Sequence, residues 1–233
     1  MDKVVFDRRY CGPPDCANGG YAAGIAAGLL AQPASVRLLL PPPLDKPLTI
    51  ERDPGRLLIL DGDATVIEAT PTELDIEVPN PIDVDAARVA SQRFAGFEGH
   101  AFPTCFVCGP ERRPGDGLQI FPGRVGDERM LAAVWTPTAD LTDGTGTVRP
   151  EFVSAALDCP GGWSAIDFGA RPSVLGTMAA RQLREVAPGQ TYVAIGWPVR
   201  SEGRKDFVGS ALFTAGGELV AEAAATWIVF KVS

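Results

Sequence analysis

Asp158 is a carboxylate set in the long, mostly apolar stretch 150–168, PEFVSAALDCPGGWSAIDF. Apolar surroundings such as residues 153–157 raise the pKa of a buried carboxylic acid and suit it to act as a general base. The alternative is a helix cap or a surface carboxylate, because Pro160 and Gly161 tend to end a helix. The sequence leaves both interpretations of Asp158 open.

Two glycine pairs are candidates for binding a ligand oxygen through backbone N–H groups. Gly19 and Gly20 follow Asn18, a good N-cap residue, so they are expected to open a helix whose first N–H groups point at a ligand. Gly161 and Gly162 can do the same only if a helix starts there. For each pair the alternative is close packing of a helix against a strand.

The two possible starts of the helix around Asp158 exclude each other. A start at Pro150 places Asp158 inside the helix, whereas a start at Gly161 leaves it outside. Proline suits the first turn of a helix, because its fixed backbone angle matches and its missing N–H needs no partner there. We therefore predict a helix that begins at Pro150.

The cysteines offer two further kinds of chemistry. Cys11 and Cys16, together with Cys105 and Cys108, supply four formal zinc ligands, but C-x4-C is not a usual spacing for a zinc knuckle, and structural thiols are the default. Cys159 invites a role as a nucleophile. That role needs a nearby base.

His100 is the only histidine, and it lies in a segment predicted to be a loop. It therefore gives Cys159 no evident base. We predict no metal site and no cysteine nucleophile.

The four tryptophans are scattered over predicted strands and the predicted helix at 150–168. Large aromatic side chains at such positions normally fill a core or an interface between modules. Trp163 follows Asp158 by slightly more than one helical turn, so it can also form a wall of a ligand pocket. The others are assigned to the core: Trp135, Trp197 and Trp227.

Composition limits the partners and the compartment. The chain has 29 acidic and 21 basic residues, and its formal charge of -8 repels phosphate backbones and anionic lipid surfaces, so nucleic acid is not expected as a partner. No secretory leader and no apolar run long enough for a membrane span is seen. An odd number of cysteines, five, favours reduced thiols and a cytoplasmic protein.

The elements that must position these residues occur twice in the same order. In the first half a strand at 4–6 precedes a glycine-rich, uncharged helix at 19–30, and a run of strands bounded by turn residues follows. The predicted strands are 35–40, 47–53, 56–61 and 64–70. A helix followed by an antiparallel meander is a compact α+β unit.

The second half repeats this order with longer elements. A linker helix at 83–94 and a loop rich in Cys, Pro and Gly separate the halves. Strands at 118–121 and 130–135 then precede the helix around Asp158, and the remaining strands are predicted at 173–186, 190–199, 205–214 and 218–230. We predict modules at 1–82 and 117–233, with the linker helix and loop at 83–116.

This order resembles the double-hotdog proteins, and most closely their acyl-CoA thioesterase II-like branch. The likeness lies in the helix opening Asn18-Gly19-Gly20-Tyr21 with the proline-ended strand at 35–41, in Asp158 within VSAALD, and in Thr177 within VLGTMAARQLREV. A second likeness, to single-hotdog thioesterase-like proteins, lies in CFVCGP at 105–110 followed by Gly-Leu. The resemblance implies an α+β tandem double hotdog, each half a long central helix wrapped by an antiparallel sheet.

The resemblance also implies a function and a site. Asp158 is then the base that activates water for hydrolysis of an acyl-CoA thioester, and Thr177 helps to hold that water. The family's glutamine falls at about Ala225, where this chain departs from the pattern. Thr226 is adjacent but is expected to face the other side of its strand.

Substrate-binding roles fall on the start of the first helix and on the segment after Asp158. The residues are Gly19, Gly20, Tyr21, Gly161, Gly162 and Trp163. The expected partner is acyl-CoA or a related thioester, with no cofactor, no nucleic acid and no membrane, and a homo-oligomer of such subunits stays open.

Two further points bear on the class of protein. The alternative function is a non-catalytic acyl or acyl-CoA binding protein with a degenerate site, and Ala225 motivates it. The single histidine argues against the hydratase and dehydratase branch of hotdog proteins.

Overall fold

The computed structural model describes residues 2–126, 128–167 and 172–230, so Phe168 and residues 231–233 lie outside the described part. Its helices are α1 (Gly19–Leu30), α2 (Val84–Ser91) and α3 (Pro150–Asp167). Among the described residues, no helix has both the length and the hydrophobicity that crossing a bilayer requires. The strands are β1 (Lys3–Val4), β2 (Ala34–Leu38), β3 (Leu48–Asp53), β4 (Arg56–Asp61), β5 (Ala64–Pro71), β6 (Gly123–Arg124), β7 (Leu131–Trp135), β8 (Ser173–Gln182), β9 (Tyr192–Glu202), β10 (Lys205–Thr214) and β11 (Leu219–Val229).

The described strands form a single antiparallel sheet in which one strand order occurs twice. The full order is β1-β3-β4-β5-β2-β8-β11-β10-β9-β7-β6. The first half contributes β1-β3-β4-β5-β2, and the second contributes β7-β9-β10-β11-β8 in the mirrored direction, with β6 added at the outer edge beside β7. The two halves meet where β2 pairs with β8, with Val36 opposite Met178. The repetition predicted from the order of elements is therefore present in the strand pairing.

Helix α1 begins and ends where its sequence predicts. The Asn18 side chain accepts a hydrogen bond from the backbone N–H of Tyr21, which caps the helix, and Ala31 ends it in the left-handed conformation. Its glycines allow close approach to α3. A Cβ at Gly20 would lie 2.5 Å from the Cβ of Asp158, and one at Gly24 would lie 2.6 Å from the Cα of Glu151.

Helix α3 runs from Pro150 to Asp167 without a break at Pro160. The predicted start at Pro150 is confirmed, and the alternatives of a helix cap or a surface carboxylate for Asp158 are wrong, because Asp158 lies inside the helix and is only 2% exposed. The sheet accommodates the helix through a glycine. A Cβ at Gly196 would lie 2.0 Å from the Pro160 carbonyl oxygen, so β9 passes close to the proline turn only because Gly196 has no side chain.

The strand predicted at 118–121 is wrong, and the nearest strand is β6. The backbone N–H groups of Leu118 and Ile120 donate instead to the carbonyl oxygens of Phe106 and Val107, at 2.8 and 2.9 Å. This segment thus pairs with the Cys-rich loop and not with the sheet.

Two predicted elements, the linker helix and the strand at 173–186, extend several residues beyond the observed ones. The linker helix ends at Ser91 and is capped by Asp83, whose side chain accepts from two backbone N–H groups. Strand β8 ends at Gln182, because the N–H groups of Leu183 and Arg184 both donate to the carbonyl oxygen of Val220. The module boundaries at residues 82 and 117 stay predictions.

Candidate functional site

The crossing of α1 over α3 places Asp158 against the first turn of α1. Its Oδ2 accepts hydrogen bonds from the Asn18 Nδ2 at 2.9 Å and from the Gly20 backbone N–H at 3.0 Å. The N-terminal N–H groups of a helix carry partial positive charge and favour a nearby anion. The start of α1 therefore holds the carboxylate that sequence analysis placed in a separate half.

Asn18 has its amide orientation fixed by two neighbours. Its Oδ1 accepts from the Tyr21 N–H at 2.9 Å, and this leaves its Nδ2 to donate to Asp158. A single side chain thus caps α1 and ties it to α3. Since Asn18 is 2% exposed, water does not compete for these bonds.

Asp158 is buried, and burial raises its pKa to about 7, although the Gly20 N–H and the Asn18 amide act in the opposite direction. Its second oxygen, Oδ1, has no hydrogen-bond partner among the described residues. A buried carboxylate oxygen without a partner is costly and marks a place where water or a ligand completes the site. The geometry leaves one lone-pair-bearing oxygen free for chemistry.

A cavity of about 690 Å³ lies beside Asp158. This volume falls within the range of about 300–1,000 Å³ that is usual for small-molecule sites. The start of α1, the loop around residue 100, the middle of α3 and the adjoining ends of β2, β8 and β11 form its wall. Both halves of the chain therefore contribute to one site.

Two further buried polar atoms in the cavity wall lack partners among the described residues. They are the Ser173 Oγ and the Trp227 Nε1. The Trp227 ring lies over Gly162, where an added Cβ would be 2.3 Å from the indole Cζ2. Gly162 lies one helical turn after Asp158, so the indole ring and the carboxylate occupy the same face of α3.

Three cysteine thiols form a buried sulfur cluster that also lines the cavity. The Sγ atoms of Cys105, Cys108 and Cys159 all lie within 4.8 Å of one another, and Cys105 and Cys159 are 3.9 Å apart. The neighbouring thiols of Cys108 and Cys159 hold the pKa of Cys105 well below its usual range. Burial raises the pKa of Cys108.

His100 contacts this sulfur cluster from the loop. Its Nδ1 accepts from the Phe102 backbone N–H at 2.9 Å, so the proton of the neutral ring is on Nε2, which lies 3.1 Å from the Cys108 Sγ. Burial lowers the pKa of His100 and favours this neutral form. The imidazole is therefore a donor to Cys108.

The structure brings several predicted site residues together. Gly19, Gly162 and Trp163 line the cavity with Asp158. Trp163 also donates from Nε1 to the Cys108 Sγ at 3.4 Å. Gly20 uses its N–H for Asp158 and does not present it to a ligand.

Other predicted binding residues lie elsewhere. Tyr21 packs in an aromatic cluster with Tyr10 and Phe152, at ring centroid distances of 4.5 and 5.6 Å. Gly161 faces the sheet, where an added Cβ would lie 3.0 Å from the Val208 side chain. Neither is among the described residues that line the cavity.

Thr177 is not brought to Asp158 in the described part of the chain. The side chain of its neighbour Met178 reaches α3, with Sδ 4.0 Å from the Ser154 Oγ, so Thr177 points to the opposite face of β8. Thr177 pairs with Thr226, and Met178 pairs with Ala225. Ala225 therefore faces the helices, on the same side as Trp227.

Sequence reasoning missed several members of the site. Asn18 was identified as a cap but not as a partner of Asp158, and Ser173 and Trp227 were not considered as polar groups of a pocket. The signal for Trp227 was its period-two spacing from Ala225, which places both on one face of a strand. The zinc alternative combined Cys105 and Cys108 with Cys11 and Cys16, whereas the structure places Cys159 beside them.

The comparisons with known proteins give the fold a name. No family model matches the sequence, and no curated protein sequence matches it. Among solved structures, a hotdog-fold protein of unknown function from Alicyclobacillus acidocaldarius is similar, with a TM-score of 0.65, 11% identity and coverage of 99% of this chain and 93% of that one. The tesB protein of Mycobacterium avium subspecies paratuberculosis is similar with a TM-score of 0.60, 14% identity and coverage of 98% and 92%.

These two likenesses span both halves of the chain. A third structure, a thioesterase superfamily protein, is similar with a TM-score of 0.47 and 18% identity. The matched region covers 52% of this chain and 58% of that protein. With the repeated strand order, the likenesses over the full chain confirm the predicted α+β double hotdog fold.

Proposed function

We propose that this protein hydrolyses an acyl thioester whose acyl group lies in the cavity, with Asp158 as the general base. The observation that carries the proposal is the unequal hydrogen bonding of the two carboxylate oxygens of Asp158. Its Oδ2 is held by the Asn18 amide and the Gly20 N–H, whereas its buried Oδ1 has no partner among the described residues and adjoins a cavity. A fixed carboxylate with one free oxygen suits the activation of water.

The proposed reaction needs no covalent intermediate. Asp158 Oδ1 takes a proton from a water molecule, and the resulting hydroxide attacks the thioester carbonyl carbon. The C–S bond breaks as the tetrahedral intermediate collapses, and the thiol leaves with the proton returned by Asp158. The products are a carboxylic acid and a thiol.

Two donors are available to polarise the thioester carbonyl. The Trp227 Nε1 is buried in the cavity wall and lacks a partner among the described residues. The N–H of Gly19 belongs to the first turn of α1, where backbone donors have no intrahelical acceptor, and Gly19 lines the cavity. Donors placed before the reaction stabilise the negative charge that develops on the carbonyl oxygen.

Trp227 can also supply a hydrogen-bond donor near Ala225, the position where the family pattern has a glutamine. The two residues share the helix-facing side of β11, and the indole N–H can donate where the alanine cannot. We assign this donation to Trp227 in the proposed site. Thr177 has no role in it, because its side chain points to the other face of β8.

The cavity wall indicates which part of the substrate it takes. No lysine or arginine is among the described residues of the wall, so the phosphates of a coenzyme A carrier are expected to lie outside it. Leu39, Leu40 and Phe230 belong to the wall and are 43%, 46% and 45% exposed, so they place an apolar surface at its solvent side. We propose an apolar acyl group inside the cavity and a polar carrier outside.

The test is a hydrolysis assay over a panel of acyl-CoA chain lengths, with release of the free thiol as the readout. We expect turnover that depends on Asp158 and is lost in Asp158→Asn. Equal rates for the wild type and this variant would refute the assignment of the base. Measurable binding without turnover in the wild type would instead favour the non-catalytic acyl-binding protein.

A further inference from the structure

The buried sulfur cluster is an unusual concentration of one ligand type. Cys105 and Cys108 come from the loop that follows His100, and Cys159 comes from the middle of α3. Their exposed fractions are 4%, 2% and 4%, and no disulfide joins them. Two chain segments distant in sequence thus converge on one point with three sulfur atoms.

The spacing of the sulfurs matches that of a metal-thiolate site. Zinc binds thiolate sulfur at about 2.3 Å in a tetrahedron, which separates neighbouring sulfurs by about 3.8 Å. Cys105 and Cys159 are 3.9 Å apart, and all three sulfurs lie within 4.8 Å of one another. Only small side-chain movements are needed to bring them onto one ion.

The Cys108 sulfur has two N–H groups beside it. Its Sγ faces the Nε2 of His100 at 3.1 Å and the Nε1 of Trp163 at 3.4 Å. Both nitrogens are donors, because the His100 Nδ1 accepts from the Phe102 N–H and the indole nitrogen can only donate. N–H donors to a ligating atom are the outer-shell contacts that orient metal ligands.

We propose that Cys105, Cys108 and Cys159 bind one Zn²⁺ ion through three thiolates, with the fourth coordination position directed at the cavity. Thiolate ligands select zinc and other soft or borderline cations. The three residues all belong to the cavity wall, so a water molecule or a ligand atom can complete the tetrahedron from that side. His100 is an outer-shell donor in this site.

This site differs from the zinc alternative weighed from the sequence. Cys11 lies against the Thr104 carbonyl oxygen at 3.3 Å and the Arg112 Nη2 at 3.2 Å, outside the sulfur cluster. Cys16 is likewise outside it. Both are therefore matched cysteine controls for the proposed ligands.

The test uses the full chain purified under reducing conditions without chelator. We expect about one equivalent of zinc by mass spectrometry, as in other structural and catalytic zinc sites. After removal of the metal, titration with Co²⁺ should produce the near-ultraviolet charge-transfer absorption of cobalt thiolates, and added Zn²⁺ should abolish it. Wild-type protein with neither bound zinc nor this absorption overturns the proposal.

The variants test which cysteines are responsible. Cys105→Ser and Cys159→Ser should each weaken Co²⁺ binding by more than about tenfold, since even the loss of an outer-shell partner costs about 10–100-fold. Cys11→Ser and Cys16→Ser should keep the wild-type absorption. If the two pairs behave alike, the assignment of the ligands is wrong. Circular dichroism shows which variants fold. The wild-type titration tests metal binding even if the variants do not fold.

These measurements record metal binding and do not depend on hydrolysis. A protein that binds zinc at the sulfur cluster but cleaves no thioester supports this proposal and not the proposed function. The reverse result supports the proposed function alone.

Discussion

The Asn18 side chain joins the start of α1 to Asp158 in α3, with Nδ2 2.9 Å from Asp158 Oδ2. Its Oδ1 simultaneously caps α1 through the Tyr21 N–H. This contact couples the stability of the helix crossing to the position of the carboxylate. It also crosses between the two halves of the chain, so neither half forms this contact alone.

The coupling can be measured with substitutions at Asn18. Asn18→Ser keeps an oxygen for the cap and replaces the Nδ2 donor to Asp158 with a shorter hydroxyl group that does not reach as far, so it should lower the free energy of unfolding by about 1–3 kcal/mol. Asn18→Asp also keeps the cap but places a second carboxylate against a buried one, so it should cost more. Urea unfolding of both variants provides the comparison.

The same pair of substitutions in an Asp158→Asn background is the control. Without the carboxylate at position 158, the Asn18→Asp and Asn18→Ser variants should differ less in their free energy of unfolding. A difference that is unchanged in this background would show that Asn18 and Asp158 are not coupled.

Asp158→Asn should lower kcat for acyl thioester hydrolysis by about 10²–10⁴-fold, the usual contribution of a general base. The amide oxygen can still accept from Asn18 and Gly20, so the fold should be kept. Asp206→Asn is the matched control, because Asp206 is another buried carboxylate, 5% exposed, that does not line the cavity. Thiol release over time measures both variants, and an equal loss in the control would contradict the specific role of Asp158.

Trp227→Phe should lower kcat by about 10²-fold with a smaller change in KM, because it removes a donor to the developing oxyanion and keeps an aromatic ring over Gly162. Trp197→Phe is the matched control. Trp197 is also a strand residue whose ring packs on a glycine, Gly209, but it is not among the described residues of the cavity wall. It should leave kcat unchanged. Steady-state kinetics separates the two parameters, and an unaffected kcat in Trp227→Phe would remove this residue from the proposed site.

Gly20→Ala should destabilise the protein by about 1–3 kcal/mol, because the new methyl group would lie 2.5 Å from the Asp158 Cβ and 2.8 Å from the Ser154 carbonyl oxygen. Gly28→Ala is the control in the same helix, where an added Cβ meets nothing within 4 Å. It should stabilise α1 by about 0.5–1 kcal/mol, since alanine is the better helix former. Thermal unfolding should show a lower midpoint temperature for Gly20→Ala and a higher one for Gly28→Ala. Equal shifts of the midpoint in the two variants would contradict the close helix contact at Gly20.

The sequence by itself determined the order and the bounds of most elements. Local signals were sufficient for α1, with its Asn18 cap, and for α3, with Pro150 in its first turn. They were also sufficient to select Asp158, because a carboxylate among apolar residues is informative without knowledge of its neighbours. The element order occurring twice carried the resemblance to the double-hotdog proteins, and that resemblance implied the fold.

Only the tertiary structure decided which groups surround Asp158. Thr177 and Trp227 lie on neighbouring strands, and which face each side chain takes depends on the register shift in β8 near Gly176, which no local pattern reveals. The sulfur cluster depends on α3 and the Cys-rich loop packing together, so Cys159 meets Cys105 and Cys108 only in the folded chain. Periodicity and caps report on contacts near in sequence, whereas a site built from two halves depends on contacts that are close only in space.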